Sequence, residues 1–102
     1  MRFDVVESER IEFKEAVNDS AIKTIAAFAN GGGGKVYIGV SDDGEVVGVQ
    51  DVDGELLKLT DKMKTNIRPD ILMTVSVDVE SYGDKKVIVV TVRRGSKRPY
   101  YL

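Results

Sequence analysis

The sequence predicts a single α/β (α+β) domain over residues 1–102, in which a mixed β-sheet packs against two helices. The expected order of elements is roughly β-α-β-β-α-β-β. The chain length suits one domain with one modest core. Two segments repeat apolar residues at helical spacing, and the other apolar segments either alternate with polar residues or form short runs, as strands do. Turn-forming residues separate these segments.

The amino-terminal third predicts a strand and then a helix. Apolar and polar residues alternate over residues 10–14, which indicates a short strand. Residues 21–29 are rich in helix formers and repeat apolar residues at helical spacing, with Asp19 or Ser20 as the expected N-cap. Four consecutive glycines at 31–34 then end the helix.

The middle of the chain predicts a hairpin and a second helix. Residues 36–40 form a compact apolar strand, residues 42–44 have turn chemistry, and residues 46–49 are expected to return as the partner strand. The second helix is expected over residues 51–67, and it ends there because Pro69 disfavours helical geometry in the residue before it.

Two further strands are expected near the carboxyl end. Residues 71–80 alternate cleanly, so one face of this strand should be apolar and the other wet. The expected apolar face comprises Ile71, Met73, Val75, Val77 and Val79. Residues 81–84 form a turn, residues 86–93 return as a β-branched strand, and residues 94–102 leave the sheet as a basic, aromatic tail.

The composition excludes several kinds of chemistry. The chain has no cysteine and no histidine, which excludes disulfides, thiolate metal sites and imidazole catalysis. No apolar run approaches the ~20 residues needed to span a bilayer, and the first residues lack a signal-peptide core. We therefore expect a cytoplasmic protein without a membrane partner.

The charges are unevenly distributed along a chain whose net charge is −2. The stretch 85–102 contains no acidic residue and carries Lys85, Lys86, Arg93, Arg94, Lys97 and Arg98. The amino-terminal residues are acidic and include Asp4, Glu7, Glu9, Glu12 and Glu15. One end is thus a candidate phosphate-binding surface and the other a candidate carboxylate cluster.

The basic end mixes cations with aromatic rings, a combination that suits phosphates and unpaired bases. The candidate nucleic-acid-binding residues are Lys35, Arg93, Arg94, Lys97, Arg98 and Tyr100. Gly34-Lys35 is not a phosphate loop, because that pattern requires a glycine where Ala29 stands and Ser or Thr where Val36 stands. The alternatives are a solvated strand end for the tail and a simple helix stop for the glycines.

Three carboxylates, Glu7, Glu12 and Asp42, are candidate metal ligands and catalytic residues if the first strand lies beside the strand at 36–40. Oxygen ligands of this kind hold Mg²⁺ or Mn²⁺, which activates water for phosphodiester cleavage. Glu7 and Glu12 point to opposite faces of one continuous strand, so this site requires Glu7 to lie in a bend. The alternative is a solvated acidic face and an ordinary turn at Asp42.

Five segments together resemble a known family. They are E-S-x-x-I-E-F-K at Glu7–Lys14, K-T-I-x-A-F-A-N at Lys23–Asn30, G-G-x-V-x-I-G-V-x-D-D-G at Gly33–Gly44, V-x-G-V at Val46–Val49 and R-P-Y-Y-L at Arg98–Leu102. The pattern is similar to that of the Schlafen AlbA-like domain, also called the divergent-AAA domain. The resemblance covers essentially the whole chain.

The resemblance implies an AlbA-like fold and a nucleic-acid-binding role, as the DNA-binding domain of a prokaryotic transcriptional regulator or helicase-like protein. It also implies that the chain is an amino-terminal fragment followed by further domains. Related animal domains are metal-dependent RNA endonucleases, and by motif position their three carboxylates correspond to Glu7, Glu12 and Asp42. We expect DNA or RNA as partner and no cofactor, with Mg²⁺ or Mn²⁺ needed only by a nuclease. A protein-interaction module is a third alternative, and the apolar strand faces leave room for a homodimer.

Overall fold

A computed structural model describes residues 1–102, which form one compact α+β domain as predicted. The elements are strand β1 (Ile11–Lys14), helix α1 (Asp19–Asn30), strand β2 (Gly34–Ile38), helix α2 (Val52–Asn66), a 3₁₀ turn (Leu72–Thr74), strand β3 (Val75–Tyr82) and strand β4 (Lys85–Val92). The four strands form one mixed sheet in the order β1-β2-β4-β3. β1 is parallel to β2, and the other neighbours are antiparallel.

The two faces of the sheet carry separate cores. On the helix face, α1 and α2 pack over Val36, Ile38 and alternate residues of β4. On the reverse face, Phe3 from the amino-terminal segment packs against Phe13 and Tyr37, and the Phe3 and Tyr37 ring centroids are 4.8 Å apart. Because both faces of β4 are covered, this central strand is apolar almost throughout.

The two helices begin at side-chain caps. Asn18 caps α1 by accepting a 2.9 Å hydrogen bond from the amide of Ala21, so the predicted cap at Asp19 or Ser20 is wrong by one or two residues. Asp19 instead forms part of the first turn, where its negative charge suits the helix dipole. Asp51 caps α2 by accepting a 3.0 Å hydrogen bond from the amide of Gly54.

Residues 46–49, predicted to form a partner strand, instead make only a single β-bridge, between Val40 and Val46. The carbonyl of Gly39 accepts hydrogen bonds from the amides of both Val47 and Gly48, each at 2.9 Å. Gly39 and Gly48 have positive φ angles of 110° and 80°, which bend the chain away from a regular ladder.

The strand predicted from Ile71 begins at Val75, because residues 72–74 turn as a 3₁₀ helix. Its apolar face is also less buried than the alternation suggests. Val77 and Val79 lie on the helix face, opposite Val90 and Ile88, yet they are 38% and 44% exposed. The helices cover the middle of the sheet and leave this edge strand open.

Candidate functional site

Residues 31–34, hereafter the glycine loop, join the end of α1 to β2 by a tight turn. The amide of Gly31 donates to the carbonyl of Ala27, and the amide of Gly33 donates to that of Phe28, at 3.0 and 2.9 Å. Gly33 is buried with φ at +86°, and a Cβ there would lie 2.6 Å from the carbonyl oxygen of Val92. The loop therefore closes directly against the end of β4, which only glycine permits.

Arg10 lies on the other side of the glycine loop. Its guanidinium packs onto Gly32, where a Cβ would be 2.3 Å from Nη2 of the arginine. Its carbonyl accepts a 2.9 Å hydrogen bond from the amide of Lys35. An open cavity of about 370 Å³ is lined by Arg10, Phe28 and the loop glycines, together with Glu9.

Arg10 was not among the candidates predicted from the sequence. Its signal is its position just before β1, since the parallel pairing of Ile11 with Lys35 places residue 10 beside the start of β2. That pairing is a long-range contact. The local sequence shows only that Arg10 begins an alternation of polar and apolar residues.

Lys35 and Arg93 share the reverse face of the sheet. Lys35 pairs with Thr91, and Thr91 pairs with Ser76 on the neighbouring strand. Arg93 follows Thr91 by two residues and therefore points to the same side. Its guanidinium donates to Oγ of Ser76 at 3.1 Å and also to the carbonyl of Met73. The guanidinium is thus held at the sheet edge.

The basic tail folds back toward the end of α1. The amide of Gly95 donates to the carbonyl of Ala29 at 2.9 Å, and Nε of Arg98 donates to the carbonyl of Gly95 at 2.7 Å. Arg94 sits between this contact and the glycine loop, because Gly33 packs against its backbone. The tail cations therefore lie at the same end of the molecule as Arg10.

We call these cations the cationic surface. Its members are Arg10, Lys35, Arg93, Arg94, Lys97 and Arg98, all exposed. The chain has four ion pairs within 4.0 Å, made by Lys14, Lys58, Lys62 and the amino terminus, and none involves a member of the cationic surface. Glu9 is the one acidic residue lining the cavity beside it. The charges of the six cations are therefore available to a bound anion.

Negative charge is concentrated elsewhere on the reverse face. The hydroxyl of Tyr82 donates to Oε1 of Glu80 at 2.6 Å. Burial, followed by this hydrogen bond, raises the pKa of Tyr82 well above its usual 10.0. Burial also raises the pKa of Tyr37, with further contributions from Glu80 and Asp4. Glu80 lies four rows of the sheet from the Ser76–Thr91 pair, and the exposed Asp78 on the same face lies two rows from it.

Tyr100, which the sequence analysis placed among the nucleic-acid-binding residues, is buried in the helix-face core at 4% exposure. Its ring covers Gly95, and its hydroxyl accepts a 3.2 Å hydrogen bond from the amide of Lys97. The side chain of Asn30 donates to the carbonyl of Tyr100 and accepts from its amide, at 2.8 and 2.7 Å. Tyr100 therefore anchors the tail, and Tyr101, at 62%, is the exposed ring.

The three candidate metal ligands do not form a site that fits a divalent ion. Glu7 lies in the irregular segment before β1 and not on the strand itself, and its carboxylate accepts a 3.0 Å hydrogen bond from the amide of Phe13. Glu7 and Asp42 line one open cavity of about 280 Å³, whereas Glu12 lies on the helix face, 3.9 Å from the ammonium of Lys14. No three carboxylates of the chain lie close enough together to hold a metal. The arrangement gives the nuclease alternative no support.

Neither helix combines the length and the apolar character that a membrane crossing demands.

Comparison with known proteins agrees with this fold. The family model described as Schlafen, AlbA_2 matches residues 7–102. The crystal structure of the DIP2311 protein from Corynebacterium diphtheriae superposes on 90% of this chain with a TM-score of 0.64 and 18% sequence identity, which shows a shared fold. The matched region is 19% of that protein's length, so this chain spans about a fifth of it. The sequence matches none of the curated proteins.

Proposed function

The chain belongs to the Schlafen AlbA_2 family, which suggests a nucleic-acid-related domain, and we propose that it binds nucleic acid, with duplex DNA as its ligand. We further propose that it is the DNA-contacting part of a larger regulator or helicase-like protein. The cationic surface is the contact region, and its arginines and lysines neutralise backbone phosphates.

One observation carries this proposal. Six exposed cations gather around the glycine loop without a carboxylate within ion-pair distance, in a chain whose net charge is −2. Only three of the fifteen lysines and arginines of the chain make an ion pair, so these six are distinguished by lying together at one end of the molecule. Unpaired cations at one end give a local positive potential, which attracts a polyanion despite the overall negative charge.

The glycine loop supports the same function by letting the cations lie close together. A Cβ at Gly32 would meet the Arg10 guanidinium and a Cβ at Gly33 would meet the end of β4, so the absence of side chains allows Arg10 and Arg94 to lie on either side of the loop. The amide of Gly32 makes no backbone hydrogen bond and is exposed, so it adds a donor beside the Arg10 guanidinium. Phosphate contacts of this kind position a protein on a duplex without reading its sequence.

A salt titration tests the proposal. Binding of labelled duplex DNA and of a hairpin RNA is measured by fluorescence anisotropy at several salt concentrations, for the wild type and for the double variant Arg93→Ala/Arg94→Ala. Each phosphate contact contributes about 0.9 to the slope of log affinity against log salt on duplex DNA. We therefore expect the double variant to bind more weakly and to lose about 1–2 from this slope.

The matched control is Lys85→Ala/Lys86→Ala, which removes the same charge from adjacent residues at the opposite end of β4. We expect this control to keep the wild-type slope. Equal losses in the two double variants would mean that only net charge matters, and unchanged binding in the arginine variant would exclude the cationic surface as the contact region. If the wild type bound the hairpin RNA more tightly than the duplex DNA, the proposed ligand would be RNA and not DNA.

A further inference from the structure

The two edges of the sheet are finished differently. At the β1 edge, Ser8 and Ile11 exchange backbone hydrogen bonds at 3.1 and 3.3 Å, and Glu7 accepts from the amide of Phe13. At the other edge, β3 runs for eight residues beside β4 and has no neighbour on its outer side. An uncovered strand of this length is a template for pairing with another chain.

The backbone groups that face outward can be identified. The carbonyl of Thr74 accepts from the amide of Arg93, so the backbone of residue 74 points to the β4 side. In an antiparallel ladder alternate residues point the same way. The amides and carbonyls of Val77 and Val79 and the carbonyl of Val75 therefore face outward without a partner, whereas the amide of Val75 donates to the carbonyl of Leu72.

The side chains of this edge add apolar surface. Val77 and Val79 are 38% and 44% exposed on the helix face, beyond the reach of α1 and α2. On the reverse face the same strand presents Asp78 and Glu80, both exposed. A partner strand must therefore place apolar side chains against the valines on the helix face. On the reverse face it must place neutral or basic side chains opposite Asp78 and Glu80.

We propose that the occupant is a second copy of this chain, paired antiparallel through β3 about a twofold axis at Val77. In this register Val77 lies opposite its symmetry mate and Val75 lies opposite Val79 of the second copy, which buries the exposed valines together. Three residue pairs then share four backbone hydrogen bonds: two between the Val77 residues, and one from the Val79 amide of each copy to the Val75 carbonyl of the other. The two four-stranded sheets become one continuous sheet of eight strands.

Charge selects this register over its neighbours. With the axis at Val77, Asp78 lies opposite Ser76 of the second copy, and Arg93 of that copy is bonded to this serine. Each aspartate therefore approaches an arginine. An axis at Asp78 would place Asp78 opposite itself, and an axis at Val79 would place Asp78 opposite Glu80, which is unfavourable because like charges opposite each other repel.

Arg93 also limits how far the pairing extends. Its guanidinium donates to the carbonyl of Met73, an outward group, so pairing cannot continue past Val75 without displacing it. Registers with the axis closer to Met73 therefore form fewer than three pairs. Because the twofold axis is perpendicular to the sheet, the reverse faces of both copies point the same way, with Lys35 and Arg93 of each copy on that face.

Cysteine crosslinking tests both the dimer and its register, since the chain has no native cysteine. In the proposed register residues 76 and 78 form a non-hydrogen-bonded pair, whose Cα separation of about 4.5 Å suits a disulfide. A mixture of Ser76→Cys and Asp78→Cys chains should crosslink faster under mild oxidation than either variant alone. Faster crosslinking of Asp78→Cys alone would overturn the register, and no crosslinking in any sample would overturn the pairing.

A second measurement uses solution mass and a matched pair of prolines. The wild type should sediment at twice the 11.2 kDa of one chain. Val77→Pro removes an outward donor without breaking the β4 ladder, so the mass should return to one chain while circular dichroism stays unchanged. Ser81→Pro makes the same change outside the three pairs and should remain dimeric. A wild type that is monomeric at high concentration, or equal effects of the two prolines, would refute the proposal.

Discussion

Replacing Gly33 with alanine should destabilise the protein far more than the same change one residue earlier. Gly33 has φ at +86°, a conformation that costs an alanine about 1–2 kcal/mol. The added Cβ would also lie 2.6 Å from the carbonyl oxygen of Val92, a backbone atom that cannot move without disturbing β4. Relieving such an overlap costs about 1–3 kcal/mol. The sum is a loss of about 2–5 kcal/mol in the free energy of unfolding.

The measurement is urea unfolding followed by circular dichroism, with a thermal scan beside it. For a domain of this size each kcal/mol lowers the midpoint temperature by about 4–8 °C, so the Gly33→Ala midpoint should fall by at least about 8 °C. Gly32→Ala is the control, because its Cβ would meet only the flexible end of Arg10. We expect that variant to lie within about 0.5 kcal/mol of the wild type. A Gly33→Ala loss below about 1 kcal/mol would refute the steric argument.

Four other substitutions test the anchoring of the tail and the ion pair between α1 and α2. Tyr100→Ala should cost about 3 kcal/mol of unfolding free energy, since it empties a buried aromatic site, whereas Tyr101→Ala should stay within about 0.5 kcal/mol in the same urea assay. Asn30→Ala should cost about 1–3 kcal/mol, because it leaves the tail's buried backbone groups without partners. The Lys62 ammonium donates a hydrogen bond to Asp19 and lowers the pKa of that carboxyl below its usual 3.8. The Asp19 carboxylate therefore stabilises the fold fully above pH 3.8, and this stabilisation is lost as the pH falls below that value. In an acid titration of the free energy of unfolding, Asp19→Asn should lose less stability than the wild type. Identical profiles for the two proteins would contradict a stabilising Asp19–Lys62 pair.

The sequence predicted those features that depend on local patterns. The helical spacing of apolar residues located both helices, and the apolar strands β2 and β4 lie within two residues of their predicted bounds. The predicted cap of α1 was wrong because Asn18, Asp19 and Ser20 all have side chains that can cap a helix. Only the three-dimensional path of the chain determines which of them reaches the amide of Ala21.

Features that depend on long-range packing were not predictable in the same way. Val77 and Val79 alternate like residues of a half-buried strand, but their exposure depends on where the helices stop covering the sheet. Tyr100 and Tyr101 are adjacent and chemically identical, and their opposite burial depends on contacts with Asn30 and Arg68, which lie far away in the sequence.

The candidate site shows the same division. Lys35, Arg93 and Arg94 were identified from charge alone, and the fold places them at one end of the molecule, whereas Arg10 joins them only through the parallel pairing of β1 with β2. Whether these cations contact DNA remains a prediction for the salt titration. The dispersal of the three carboxylates could not be foreseen from motif spacing, because it follows from which side of β1 each one occupies.

The double hydrogen bond between Asn30 and Tyr100 has a consequence for how the protein matures. Asn30 immediately precedes the glycine loop, and it is held by a residue seventy positions later in the chain. While the polypeptide is being synthesised, the loop has no such support until Tyr100 has left the ribosome. A nascent or prematurely terminated chain would therefore carry the arginines of the cationic surface without their final arrangement, and the DNA binding proposed above would begin only once translation has passed this point.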